Sequence, residues 1–265
     1  MKAIQMKPQK TDTIPDGDYI YELKYDGGSA FIVKEDAKVS IYHSNNGTNQ
    51  SWKYPELKKE LLSLKNGVYV AEICCQSQED IGGNFTNFLK RQCENKFIIS
   101  NRAKKFPVTA MIYDIVELEG SDLTCKNTLE RKKILSESVS VSPHVNLVQF
   151  YNSPEPILEL AENHQIEGIV AKHVDSRYTF NKRTGWYKVR FNKEITTTCT
   201  SYEEWEDSKG KLKGIVLIDE NQNDRYNLPG NRRKKAKQAI DKNGKVTVEV
   251  SIYGRRFPVV KRVCE

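Results

Sequence analysis

The chain has 265 residues, 38% of them hydrophobic and 29% charged, with a formal net charge of +7. That apolar share supports a proper core and excludes a disordered tail, and no apolar run is long enough to cross a bilayer. The positive balance leans toward a polyanionic partner, and the length allows two modest domains. The cysteines lack Cys-x-x-Cys spacing, the histidines stand apart and no apolar leader opens the sequence, so reduced thiols in a cytoplasmic protein are expected.

In chain order, Tyr19 to Lys24 and Ser29 to Val33 read as two antiparallel strands around a turn at Asp26-Gly27-Gly28. Tyr54 to Leu64 carries Leu57, Leu61, Leu62 and Leu64 near a helical period. Gly67 to Ile73 and Val108 to Ile115 are rich in β-branched and aromatic residues and predict strands. A helix is expected from Thr128 to Ser136, capped at Thr128 and exposing a basic face at Arg131-Lys132-Lys133. Pro154 to Asn163 predicts a short helix, followed by strands at Ile166 to His173 and Trp186 to Phe191.

After Glu194 the character changes. Strand-like pieces at Gly214 to Ile218 and Val246 to Tyr253 flank a polar, basic insert from Asp219 to Gly244. The expected division is 1–193 and 194–265, an α+β chain of antiparallel sheets with flanking helices, then a small all-β domain. About 70 residues of short strands suit a five-stranded barrel. Arg232, Arg233, Lys234, Lys235 and Lys237 in the insert fit either a solvated helix face or a nucleic-acid-contacting loop.

Five features in order point to one chemistry: Lys24-Tyr25-Asp26-Gly27, Glu72, Tyr113, Glu167 and Lys188. A lysine amine attacks an α-phosphate only when neutral, a form that neighbouring cations such as Lys172 and Lys188 favour. The same cations stabilise charge on the pentavalent phosphorus. Asp26, Glu72 and Glu167 supply carboxylates for a metal and a sugar hydroxyl, and Tyr113 supplies a flat ring for a base. Outside that series, Lys24 would be a surface lysine before a turn. Trp186 reads as a packing residue.

This order of motifs resembles the ATP-dependent DNA ligases, within the covalent nucleotidyltransferases that also include RNA ligases and capping enzymes. The stretches Tyr113 to Leu123 with Leu129 to Leu135, and Glu167 through Asp175-Ser176-Arg177-Tyr178 to Lys188, are similar to ligase sequence in particular. The resemblance implies a lysyl-AMP intermediate on Lys24. It implies contact of Glu22 with the adenine amino group, of Glu72 with the ribose and of Tyr113 with the base, Asp26 and Gly27 completing the nucleophile's motif. Glu167, with Glu72, would hold Mg²⁺ or Mn²⁺, while Lys188, Lys172 and Arg190 would meet phosphate. The second domain resembles an OB-fold, and Arg256 to Arg262 the family's final motif. Arg183, Arg232, Arg233, Lys234, Lys235, Arg256, Lys261 and Arg262 are the expected nucleic-acid contacts.

Three positions depart from the family: Ser29, Asn45 and Cys264 stand where arginines are usual. The expected function is sealing of 5′-phosphate/3′-hydroxyl nicks in duplex DNA with ATP, by a monomer without an added amino-terminal DNA-binding domain. An RNA ligase, or a ligase acting on RNA-containing duplexes, is the near alternative. A non-catalytic OB-fold nucleic-acid-binding protein is the alternative of another class.

Overall fold

The structure, a computed structural model, describes residues 4–43, 47–164, 166–206, 211–221, 224–229, 232–253 and 258–264. The chain is mixed α+β and divides into two compact units, Met1–Arg190 and Phe191–Glu265.

The strands of the first unit are β1 (Gln9–Lys10), β2 (Tyr19–Leu23), β3 (Gly28–Glu35), β4 (Lys38–His43), β5 (Gly67–Cys74), β6 (Thr109–Leu118), β7 (Ser121–Asp122), β8 (Val145–Leu147), β9 (Phe150–Tyr151), β10 (Gly168–His173) and β11 (Trp186–Arg190). Its helices are α1 (Lys58–Leu61), α2 (Phe85–Arg91), α3 (Lys96–Lys105), α4 (Thr128–Ser138) and α5 (Glu155–Asn163). The strands form two sheets, one ordered β1-β11-β10-β2-β9 and one ordered β4-β3-β5-β6-β7 with β8 beside β6. Pairing is antiparallel except between β1 and β11 and between β6 and β8. Central strand β5 is buried along nearly its whole length, as a strand covered on both faces must be, and Glu72 interrupts it with a carboxylate.

Three expectations are corrected. The strands flanking Asp26-Gly27-Gly28 do not pair: β2 lies between β10 and β9, and β3 between β4 and β5. Lys24 to Gly27 is therefore a crossover between sheets, not a hairpin turn. Its glycines serve close approach. A Cβ on Gly27 would lie 2.1 Å from the Ile73 carbonyl oxygen, and one on Gly28 would lie 2.4 Å from Phe88 Cζ.

The Tyr54 to Leu64 helix shrinks to α1, entered through 3₁₀ turns at Ser51–Lys53 and Pro55–Leu57. Leu57, Leu61 and Leu64 still face the core, so the apolar spacing was real although the winding is not continuous.

Helix α4 starts from Asn127, one residue before the expected cap. The Asn127 side chain accepts from the Glu130 N–H and the Glu130 carboxylate accepts from the Asn127 N–H, both at 2.9 Å, a complete capping box. Of its expected basic face, Lys133 is exposed but Arg131 and Lys132 are not. Arg131 is buried in a bidentate pair with Asp114 of β6, at 2.9 and 3.0 Å, and Lys132 is buried against Glu22 of β2. Each cation meets a carboxylate from a different sheet, so α4 ties the two sheets together.

In the second unit β12 (Asn192–Glu206), β13 (Leu212–Asp219), β14 (Arg225–Pro229), β15 (Val246–Tyr253) and β16 (Val259–Val263) close a barrel. The polar insert holds β14 and a helix, α6 (Arg232–Asn243), whose Ala236 and Ile240, one turn apart, pack into the apolar core with Leu217, Tyr226 and Val248. Among the described residues no helix is long and apolar enough to cross a membrane.

Candidate active site

Strand register assembles the site. Glu22, Val170 and Lys188 stand in one row across β2, β10 and β11, and Ile20, Lys172 and Trp186 in the next. Alternate residues of a strand share a face, so these rows and the Gly168–Arg190 pair point the same way. Lys24 extends the alternation of β2, its N–H donating to the Gly168 carbonyl at 2.9 Å. On the other sheet Ser29 of β3 lies opposite Glu72 of β5, Glu72 lies opposite Met111 of β6, and Tyr113 follows two residues on. Glu22, Lys24, Gly27, Glu72, Tyr113, Lys172, Lys188 and Arg190 all line one cavity of about 370 Å³.

Lys24 Nζ lies 2.5 Å from Glu167 Oε2, and Arg190 Nε lies 3.0 Å from Glu167 Oε1. Glu167 is buried, just ahead of β10, so a single carboxylate fixes two cations at the same end of the cavity. Lys188 stands beside them; burial, then the charges of Lys24, Arg190 and Arg183, lowers its pKa to about 8. Glu72 Oε1 accepts from the Gly27 N–H at 3.1 Å. Burial raises the Glu72 pKa to about 8, Glu167 and Asp26 adding to the rise while Lys24 opposes it. Asp26 is itself buried, its N–H donating to the Gly82 carbonyl at 2.8 Å.

Lys172 occupies a different end. Its Nζ is 2.8 Å from Glu22 Oε2, 4.3 Å from the Trp186 ring centre and 4.7 Å from that of Tyr113, and it donates to the Tyr113 carbonyl at 3.2 Å. Burial lowers its pKa to about 8, against the pull of Glu22. Glu22 is held between Lys172 and Lys132. Lys132 escaped notice in the sequence because it sits in a run of cations that reads as solvated.

Glu167 helps to raise the Glu72 pKa, and these two carboxylates are the groups that could share a cation. Among the described residues no group of three or more histidine, cysteine, aspartate or glutamate side chains is arranged as a metal site. Two carboxylates, with phosphate oxygens and water for the remaining ligands, suit Mg²⁺ rather than an all-protein cage.

Ser29, at the first departure, donates to Gln5 Oε1, and its Oγ lies 2.9 Å from the Tyr113 hydroxyl. Gln5 carries no sequence signal. It reaches the cavity because the amino-terminal segment runs beside β11, with Gln9 opposite Tyr187. Cys264, at the third departure, contacts the Glu249 carboxylate at 3.8 Å. Asn45 and Arg256 lie outside the described residues.

Several of the other expected nucleic-acid contacts bond to the protein itself. Arg183 donates to the Pro8 carbonyl at 3.0 Å. Arg232 bonds the Val260 and Lys261 carbonyls, Arg233 the Lys213 carbonyl at 2.9 Å, and Lys237 pairs with Glu204 at 2.6 Å, so these side chains hold α6 to the barrel. Arg262 is 3.9 Å from Glu249. Lys234, Lys235 and Lys261 are exposed.

Residues 1–190 match the family described as ATP dependent DNA ligase domain. The bifunctional non-homologous end joining protein LigD of Bacillus subtilis strain 168 is 27% identical over 226 residues, covering 76% of this chain and 36% of that protein. The SPbeta prophage-derived DNA ligase-like protein LigB of the same strain is 26% identical over 176 residues, covering 66% of this chain and 62% of its own. The chain thus spans about a third to three fifths of the length of these curated relatives. Among solved structures, a Lig E DNA ligase described as binding DNA with a minimal scaffold superposes with a TM-score of 0.62 at 15% identity, covering 98% of this chain and 99% of that one. A mycobacterial DNA ligase D complexed with ATP superposes with a TM-score of 0.59 at 14% identity, covering 99% of this chain and 94% of that one. These two likenesses concern the fold.

Proposed function

We propose, for a chain that belongs to the ATP-dependent DNA ligase domain family, that it seals 5′-phosphate/3′-hydroxyl nicks in duplex DNA through AMP carried covalently on Lys24. The observation that carries the reading is the convergence on one cavity of an amine, three further cations and the Glu22 and Glu72 carboxylates, all brought by strand register.

The base stacks on Tyr113 with Lys172 beneath the ring, Glu22 faces the adenine amino group and Glu72 binds a ribose hydroxyl. The α-phosphate meets Lys188 and Arg190, which stabilise the charge that develops on its oxygens. Lys24 Nζ gives up its proton and attacks phosphorus, pyrophosphate leaves, and a phosphoramidate joins the lysine to AMP. The AMP then passes to the 5′-phosphate of the nick, and the 3′-hydroxyl displaces it. Glu72 and Glu167 would hold a divalent cation, which supplies charge neutralisation at phosphate. Gly27 holds the crossover against β5, and Glu167 fixes where the amine stands, so in-line placement is built into the backbone.

We read the closed barrel from Phe191 onward as an OB-fold, and Lys234, Lys235 and Lys261 as the cations it offers to the phosphate backbone. The loss of arginine at position 29 favours a second reading, activity on nicks that carry RNA. The test is transfer of label from α-labelled ATP to protein, followed by sealing of 5′-phosphorylated nicks in all-DNA duplexes and in duplexes with RNA in either strand. Sealing of DNA establishes the reading, sealing only with RNA present moves it to RNA ligation, and absence of lysyl-AMP removes it.

A further inference from the structure

The residue that replaces the family arginine, Ser29, does not simply leave a gap. Its hydroxyl has a single hydrogen, and that hydrogen goes to Gln5 Oε1. The Tyr113 hydroxyl, 2.9 Å from Ser29 Oγ, must then be the donor in the second bond. The chain of bonds runs one way, from Tyr113 to Ser29 to the Gln5 carbonyl, each bond polarising the next. It fixes the orientation of the Gln5 amide and leaves its NH₂ directed away from the network. Gln5 is 1% exposed and lines the cavity, and its Nε2 has no hydrogen-bond partner among the described residues. A buried donor without an acceptor is costly to keep in a fold, which points to an acceptor on a ligand.

With Glu72 read as the ribose contact, the register points to the part of a nucleotide that acceptor belongs to. Ser29 and Glu72 are directly opposed on β3 and β5, so their side chains leave the same face side by side. The amide and the carboxylate therefore serve neighbouring points of the ligand. A hydroxyl is the one group on a nucleoside triphosphate that both gives and takes a hydrogen bond.

We propose that Gln5 is a sugar-selecting residue: its Nε2 donates to a ribose hydroxyl oxygen whose hydrogen is taken by Glu72, with Ser29 and Tyr113 as positioning residues for the amide. This rests on the reading of the cavity as a nucleotide site. Two partners on one hydroxyl make its loss doubly unfavourable, since a deoxy sugar leaves the amide unpaired and takes one donor from the Glu72 carboxylate, which keeps only the bond from the Gly27 N–H. A site built around a hydroxyl discriminates more strongly than one that merely accommodates it.

The experiment is calorimetric binding of ATP, 2′-deoxy-ATP and 3′-deoxy-ATP to the full chain carrying Lys24→Ala, alone and combined with Gln5→Leu or Ser29→Ala. With Gln5 intact, one deoxy analogue should bind about 100-fold more weakly than ATP. Gln5→Leu should reduce that ratio at least about 10-fold, by weakening ATP while leaving the deoxy analogue nearly unchanged. Ser29→Ala should act in the same direction and less strongly. Equal loss for all three nucleotides, or an unchanged ratio, overturns the proposal, because a packing role would not select among sugars. Self-adenylylation of the native chain separates the two inferences. A sugar preference that depends on Gln5 without AMP on Lys24 keeps the selector and removes the ligase reading, whereas lysyl-AMP formed equally well from all three nucleotides does the reverse. Failure of all three to bind removes both.

Discussion

Lys24 and Glu167 are 143 residues apart in sequence and meet at 2.5 Å between Nζ and Oε2. The pairing of Leu23 with Ile169 between β2 and β10 fixes that meeting, since it sets the two side chains just beyond the ends of paired strands. Lys24→Arg keeps a cation for Glu167 and removes the attacking amine. It should leave thermal stability within about 1 kcal/mol of the native chain and reduce labelled protein from α-labelled ATP by at least about 10³-fold. Retention of label in this variant would show that another residue carries the AMP.

Glu22 lies buried between Lys132 and Lys172. Glu22→Gln leaves two cations in a poorly solvated place and should cost about 3–5 kcal/mol of unfolding free energy in urea. Lys132→Met leaves one balanced pair and should cost less. The double variant should be less destabilised than the sum of the singles, a coupling that independent surface charges would not show.

Lys172 and Lys188 both have pKa values lowered to about 8, in each case chiefly by burial. Each carries its charge below that pH and loses it above. Loss of both charges should therefore lower kcat/KM for self-adenylylation, which reports the free enzyme, above pH 8, set against the proton that the attacking amine must itself give up. Lys188→Arg keeps its charge throughout and should make the logarithmic slope above pH 8 shallower than the native one by about one. A slope that stays the same would mean that Lys188 contributes no charge to the step.

Gly27 has no space for a side chain: a Cβ would lie 2.1 Å from the Ile73 carbonyl oxygen and 2.8 Å from Cys74 Cβ. Gly27→Ala must push the crossover away from β5, at a cost of about 1–3 kcal/mol. It also breaks the 3.1 Å bond from the Gly27 N–H to Glu72. Lysyl-AMP formation should drop by about 10²-fold or more even where the variant is folded by circular dichroism.

Lys234 and Lys235 are exposed members of the α6 cluster, and Arg232, Arg233 and Lys237 bond within the barrel unit. Lys234→Ala with Lys235→Ala should weaken duplex binding and lower the salt slope of log K by up to about 2, roughly 0.9 per phosphate contact. Arg233→Ala should instead lower barrel stability. Fluorescence anisotropy across a salt series, with melting of each variant, separates the two effects.

The residues of the site were legible in the sequence because phosphoryl chemistry demands a small set of types, and strand register then brought Glu22, Lys24, Glu72, Tyr113, Lys172, Lys188 and Arg190 to one cavity. What could not be read was pairing. Lys24 and Gly27 look like the ends of a hairpin turn, yet the strands on either side belong to different sheets. Arg131 and Lys132 look solvated until Asp114 and Glu22 are brought beneath them from separate sheets. The helical period near Leu57 to Leu64 marked a buried face without specifying continuous winding. Gln5 was silent because its importance lies in a partner 24 residues away.

Lys24, Lys172, Lys188 and Arg190 hang from one sheet, while Ser29, Glu72 and Tyr113 hang from the other. On the proposed reading, a nucleotide lying between them acts as a splint. Whether this unit is charged with substrate and how stiff it is become a single property, and a protease with no affinity for ATP would cut the empty and loaded forms at different rates. On the proposed reading, changes in sugar preference at Ser29 or Glu72 can arise on one sheet while Lys24 stays on the other, so that this selectivity and the chemistry are free to evolve separately.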